Sequence, residues 1–162
     1  MNEDLDVLLE ALAYLARAVS RPRLWQDIQR SAKVSIDRPG AHLLGVLSDQ
    51  AAGCRLNELA NKIGVEAPSV SRTVQRLENE KLIVRIVDQN DHRVTHLKTT
   101  ALGIKTLQSL RKAKREQFKI LLSSWSDKDR RQLVQLLHRL SLQAATAADL
   151  SPSIQSLREA KI

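Results

Sequence analysis

Apolar residues at Leu5, Leu8, Leu9, Leu12, Leu15, Ala16 and Val19 recur at steps of three and four, the spacing that lays one stripe along a helix. Ser20 and Pro22 then interrupt or kink it, because proline removes a backbone donor. Leu24, Trp25, Ile28 and Ala32 resume the helical spacing. Beyond Pro39 and Gly40 a further helix is predicted on Leu43, Leu44, Val46 and Leu47, ended by the Ala51 to Gly53 stretch. A short helix is predicted from Asn57 to Ile63, stopped by Gly64 in the left-handed region, and another from Ala67 to Glu80. Two short helices joined across a glycine turn make a helix-turn-helix.

The period then changes. Leu82 to Val87 is largely β-branched or apolar, Asp88 to His92 is a polar turn, and Val94 to Leu97 returns as a second strand. A hairpin wing therefore follows the second helix of the motif. Ile104, Leu107, Leu110, Phe118, Leu121, Leu122 and Trp125 mark a long helix. Ser126 and Asp129 open the last one as a capping box, with Leu133, Leu136, Leu137, Leu140 and Ala144 as its apolar face. The pattern predicts a mainly α fold with a small β-hairpin wing. Helices fill 1–36, a winged helix-turn-helix 37–100, further helices 101–148, and a tail 149–162. The end helices carry more apolar stripe than one winged module can cover, so a second copy is expected to pack on them as a homodimer.

Composition narrows the partner. With 162 residues and 43% apolar content the chain can bury a core. Its 26 Lys and Arg against 18 Asp and Glu leave a net charge of +8, which suits a polyanion. Tyr14, Trp25, Phe118 and Trp125 are the aromatic residues, too few to stack the bases of a single strand, so double-stranded DNA fits better. The acidic start at Glu3, Asp4, Asp6 and Glu10 does not read as a secretory signal, and no apolar run approaches the ~20 residues of a membrane span. With Cys54 the single cysteine, the expected location is the cytoplasm, with no membrane partner.

The chemistry lies on the helix after Gly64. Val70, Val74 and Leu77 share one face, while Arg72, Gln75, Arg76 and Asn79 lie on the opposite one. Arginine can bond guanine and glutamine adenine in two places at once, and Ser69 and Ser71 near the helix start can reach phosphates. Any solvated helix face also carries Arg and Gln, and the hairpin decides between the readings. There Arg93 can project from the wing into a narrow minor groove while Asp91 holds its guanidinium; the plain alternative is a polar turn with a surface ion pair.

The stretch from Leu59 to Arg85, followed by Asp91-His92-Arg93 and then Leu97 to Gly103, resembles the MarR (multiple antibiotic resistance regulator) family, nearest to its SlyA-like members. The resemblance implies that the second helix reads the major groove through Ser69, Ser71, Arg72, Gln75 and Arg76, while Asp91 and Arg93 serve the wing. It further implies a repressor on a palindromic operator, relieved by a small anionic or phenolic effector in a crevice between the dimer helices and the winged module. Glu66 stands where a Ser or Thr cap is common in that pattern, and Lys81 where glycine is usual before Leu82.

Other features read plainly. The long helix carries Lys105, Arg111, Lys112, Lys114, Arg115 and Lys119 against Glu116, a solvated face more than a DNA-backbone contact. Cys54 reads as a buried structural thiol rather than a redox sensor. His42, His92, His96 and His138 are scattered without ligand partners, so neither a metal nor another cofactor is expected. No phosphate loop or nucleophile–base pair suggests an enzyme. The competing reading is a winged-helix interaction or assembly module without sequence-specific DNA binding.

Overall fold

A computed structural model describes residues 2–88, 91 and 94–147. The tail 149–162 lies outside the described residues. Helix α1 (Asn2–Ser20) ends where expected, and α2 (Pro22–Ala32) begins on the proline itself, because a first-turn residue has no helical acceptor to lose. Helix α3 (Arg38–Ser48) starts earlier than the sequence suggests. Asp37 caps it, accepting from the Gly40 amide at 2.8 Å, so Pro39 and Gly40 form its first turn rather than a break before it. Then come α4 (Leu56–Ile63), α5 (Ala67–Asn79), β1 (Ile83–Val87), β2 (Thr95–Thr99), α6 (Ala101–Leu121) and α7 (Asp127–Ala147). At α7 half of the expected capping box forms: Ser126 Oγ accepts from the Asp129 amide at 3.2 Å, while the Asp129 carboxylate takes the Ser126 hydroxyl at 2.6 Å rather than its backbone amide.

Three helices end in the same device, a left-handed residue followed by an amide that bonds back across the last turn. Val34 N donates to Gln29 O at 3.1 Å, Val65 N to Ala60 O at 3.2 Å, and Leu82 N to Leu77 O at 2.8 Å. The left-handed residues are Lys33 (φ 55°), Gly64 (φ 66°) and Lys81 (φ 60°). Glycine adopts this freely, whereas each lysine carries a strain of about 1–2 kcal/mol from its Cβ.

The core sits where α3, α4, α5, β2 and α6 meet. Leu43, Leu44, Leu47, Leu59, Val70, Val74, Leu77, Leu97 and Leu110 are fully buried there. The hairpin is antiparallel, from Ile83 opposite Thr99 to Val87 opposite Thr95. A bridge missing from the sequence reading joins it to the α3–α4 loop, because Leu97 N donates to Cys54 O at 2.8 Å and Cys54 N to Leu97 O at 3.2 Å. Cys54 is buried, which pushes its thiol pKa up and keeps it in the unreactive form.

Helix α6 is laid against the turn between α5 and β1. Thr100 Oγ1 donates to Lys81 O at 2.8 Å and accepts from the Gly103 amide at 3.0 Å. A Cβ on Gly103 would stand 2.3 Å from Leu82 O. In contrast, Leu5, Leu8, Leu12 and Leu15 of α1, Phe118 and Leu121 of α6, and Leu136, Leu137 and Leu140 of α7 are exposed. Among the described residues no helix is long and apolar enough to cross a membrane.

Three substitutions test this packing. Gly103→Ala should lose about 2–3 kcal/mol in denaturant unfolding, since backbone must move. By comparison Gly45→Ala, whose Cβ would meet nothing within 4 Å in the middle of α3, should gain about 0.5–1 kcal/mol. Relief of the left-handed strain should make Lys81→Gly more stable by about 0.5–1 kcal/mol, read as a higher unfolding midpoint at unchanged m-value.

Candidate nucleic-acid interface

Helix α5 is held by one face and open on the other. Val70, Val74 and Leu77 anchor it, each with at most 1% exposure, while Ser69, Ser71, Arg72 and Gln75 are exposed. Among the described residues Arg72 has no ion-pair partner, so its guanidinium is free to extend. Gln75 Nε2 leans on Asn79 Oδ1 at 3.3 Å, a weak solvent-exposed contact that a better acceptor can replace. The N-terminus of α5 offers fewer amides than expected. Glu66 supplies no side-chain cap, Pro68 has no N–H, and the Ser69 amide donates to Glu66 O at 3.1 Å.

Arg76 is placed differently from its neighbours. Its Nη2 donates to Asp37 Oδ1 at 2.6 Å, joining α5 to the cap of α3. The hydrogen bond holds the Asp37 carboxyl below its ordinary range and pushes the Arg76 guanidinium above its own. Asp37 was not singled out from the sequence. Its partner lies 39 positions away, and only its place before Arg38-Pro39-Gly40 marks it as a cap.

The wing is braced at its base. Arg85 Nε pairs with Glu78 Oε2 at 3.1 Å, tying β1 to α5, and His96 Nε2 stands 3.3 Å from Asp88 Oδ2. Asp88 also accepts from the Asp91 amide at 3.1 Å, and Val94 N donates to Asp91 O at 2.8 Å, so the loop turns on Asp91. Arg93 lies outside the described residues, and with it the expected contact to Asp91.

A crevice of about 720 Å³ opens between the end of α1, α2, α3 and α6. Trp25 lies in it with Arg38 Cζ at 5.6 Å and Lys114 Nζ at 5.5 Å from its ring centroid. Burial, with Arg38 and Arg111 nearby, pulls the Lys114 pKa below its ordinary value. Arg38 also donates to Val19 O at 2.7 Å and Arg21 O at 3.0 Å, closing the α1–α2 break. The Trp25 Nε1–H is buried without a hydrogen-bond partner among the described residues. Sequence reading treated Lys114 as part of a solvated run, gave Trp25 only a place on an apolar helical face and did not single out Arg38, because only the fold brings the three together.

A helix-turn-helix followed by a two-stranded wing, with helices before and after, defines a winged-helix protein. Residues 36–94 match the model of the MarR family. It is 26% identical over 133 residues to the uncharacterized HTH-type transcriptional regulator YxaD of Bacillus subtilis (strain 168), covering 82% of this chain and 92% of that protein. The fold matches a MarR family protein from Bacillus stearothermophilus with a TM-score of 0.77 at 19% identity, over 90% of this chain and 98% of that one. It also matches S. aureus MepR in complex with DNA, with a TM-score of 0.57 at 27% identity, over 82% of this chain and 95% of that one. MepR has also been solved bound to ethidium bromide; that structure gives a TM-score of 0.54.

Proposed function

We propose that the chain is a homodimeric, sequence-specific transcriptional repressor that binds double-stranded DNA and is relieved by a small anionic effector. The observation that carries this reading is the division of α5 into a buried face and an exposed face bearing Ser69, Ser71, Arg72 and Gln75. That face enters the major groove, where Arg72 and Gln75 meet base edges and the serines meet phosphates. The MepR–DNA complex supports DNA as the partner. Arg76 joins the reading face on release from Asp37, and Asp91 with Arg93 carries the wing into the adjacent minor groove. The exposed apolar faces of α1, α6 and α7 are covered by a second copy, and a two-fold dimer presents two α5 helices to a palindromic operator. The proposed location is the cytoplasm, and no part of the site calls for catalysis.

The crevice supplies the effector site. Arg38, Lys62, Arg111 and Lys114 line it against one acid, Asp49, beside the Trp25 ring and its unpartnered N–H. That chemistry fits a flat anion such as an aromatic carboxylate or phenolate. The cations that line this crevice disfavour a cation such as ethidium, the ligand solved with MepR.

The reading is tested on DNA and on the crevice. Footprinting on a selected duplex should show two related half-sites, with a species of twice 18.2 kDa in light scattering. Arg72→Ala or Gln75→Ala should relax preference at particular base pairs, each worth ~1–3 kcal/mol. Equal competition by a random duplex at physiological salt would favour an assembly module instead. Benzoate, used as a simple aromatic carboxylate, should quench Trp25 fluorescence and weaken operator binding. In Lys114→Gln its affinity should drop about tenfold, the loss of one charge-assisted hydrogen bond. No quenching and no heat of binding with the unaltered protein would remove the anion site.

A further inference from the structure

Arg76 stands on the outward half of α5 beside Arg72 and Gln75, yet its guanidinium is turned toward another helix. The acceptor, Asp37 Oδ1, is fixed: the same oxygen that takes Arg76 Nη2 at 2.6 Å also takes the Gly40 amide at 2.8 Å. The arginine is less fixed, because the two side chains are 41% and 45% exposed and the contact can open into solvent. A helix cap needs only a short side-chain oxygen, which Asn or Ser supplies as well as Asp. The negative charge at Asp37 is therefore not required for the cap. What it does is hold Arg76.

We propose that Asp37 is an internal counter-ligand that withholds Arg76 from DNA and so sharpens discrimination between sites. The proposal rests on α5 being the reading helix. Arg76 and Gly40 share Oδ1, and Arg76 makes a single bond to Asp37, at that shared oxygen. A guanine edge offers two acceptors in the plane of the guanidinium, and can take Arg76 away. A duplex without a guanine in reach offers scattered phosphates, and Arg76 stays on Asp37. Indiscriminate binding then proceeds with one fewer cation, whereas operator binding recovers it.

Asp37→Asn and Asp37→Ser both keep an oxygen for Gly40 and remove the charge. Affinity for the operator and for a random duplex of equal length is measured across a salt series, with thermal unfolding alongside. Random-duplex affinity should rise about two- to fivefold, the strength of a half-exposed ion pair, and its log–log salt slope should steepen by about one charge. Operator affinity should rise less, so the specificity ratio falls. In an Arg76→Gln background most of the Asp37→Asn gain should vanish. A lower unfolding temperature with unchanged salt slope and ratio would make Asp37 a cap alone and overturn the proposal. Weaker binding to both duplexes would show that Asp37 presents Arg76 rather than withholds it, and would overturn it equally. The two readings fail separately. If Arg72→Ala leaves operator binding intact, α5 is not the reading helix. If Arg72→Ala weakens it while Asp37→Asn leaves the random duplex unchanged, the counter-ligand alone is lost.

Discussion

The backbone turn at Lys81 and Leu82 is the joint on which the winged module depends. Its two amides close the end of α5, onto Glu78 O at 2.9 Å and Leu77 O at 2.8 Å, while its two carbonyls are taken by Thr100 at the head of α6. Thr100 N reaches Leu82 O at 3.0 Å, and Gly103 lets α6 approach that oxygen without a side chain between them. Every backbone polar group of a two-residue turn is thus assigned, and three elements radiate from it with little local freedom. The Arg85–Glu78 pair adds a second tie between strand and helix. The helix and the wing therefore keep one mutual angle, and any repositioning moves them together.

The first turn of α3 is the complementary joint, and it faces both ways. Asp37 reaches Arg76 on α5, while Arg38, the next residue, lies over Trp25 in the crevice and holds the carbonyls of Val19 and Arg21. Successive residues at a helix start point in different directions, so one backbone turn serves two surfaces. On the proposed reading, an anion that draws Arg38 toward itself disturbs the carbonyls that close the α1–α2 break and the turn that carries Asp37. Coupling of this kind needs no long chain of contacts, only a short rigid element shared by two sites.

Periodicity made the helices legible because each carries an apolar stripe, Val70, Val74 and Leu77 being the clearest case, whereas the hairpin was legible from β-branched runs on either side of a polar turn. The start of α3 was misplaced because Pro39 and Gly40 signal a break by composition, and only the cap at Asp37 shows that they lie inside the first turn. Lys81 was noticed as a departure from the usual glycine, and its φ of 60° shows that the turn is kept although the residue resists it. The exposed positions Ser69, Ser71, Arg72 and Gln75 followed from the helix face alone. The partner of Arg76, the bridge between Cys54 and Leu97, and the gathering of Trp25, Arg38 and Lys114 did not. Each joins residues far apart in the chain, which no local period records.

The net charge of +8 is the excess left after acids are set against bases, and it does not say which cations are available to a partner. Arg30, Arg85, Lys119 and Arg130 are paired with acids on or beside their own elements, Arg76 is held by Asp37, and Lys114 and Arg38 are drawn to an indole. A diffuse excess of this kind raises encounter with any polyanion and is screened by salt, but it carries no preference among sequences. On the proposed reading, discrimination falls to the exposed groups on the anchored helix α5, Arg72 and Gln75 foremost. A protein with a strong general attraction to DNA gains selectivity by limiting how many cations every site can use. The acids that occupy its arginines in the free state are therefore as relevant to recognition as the arginines that remain open.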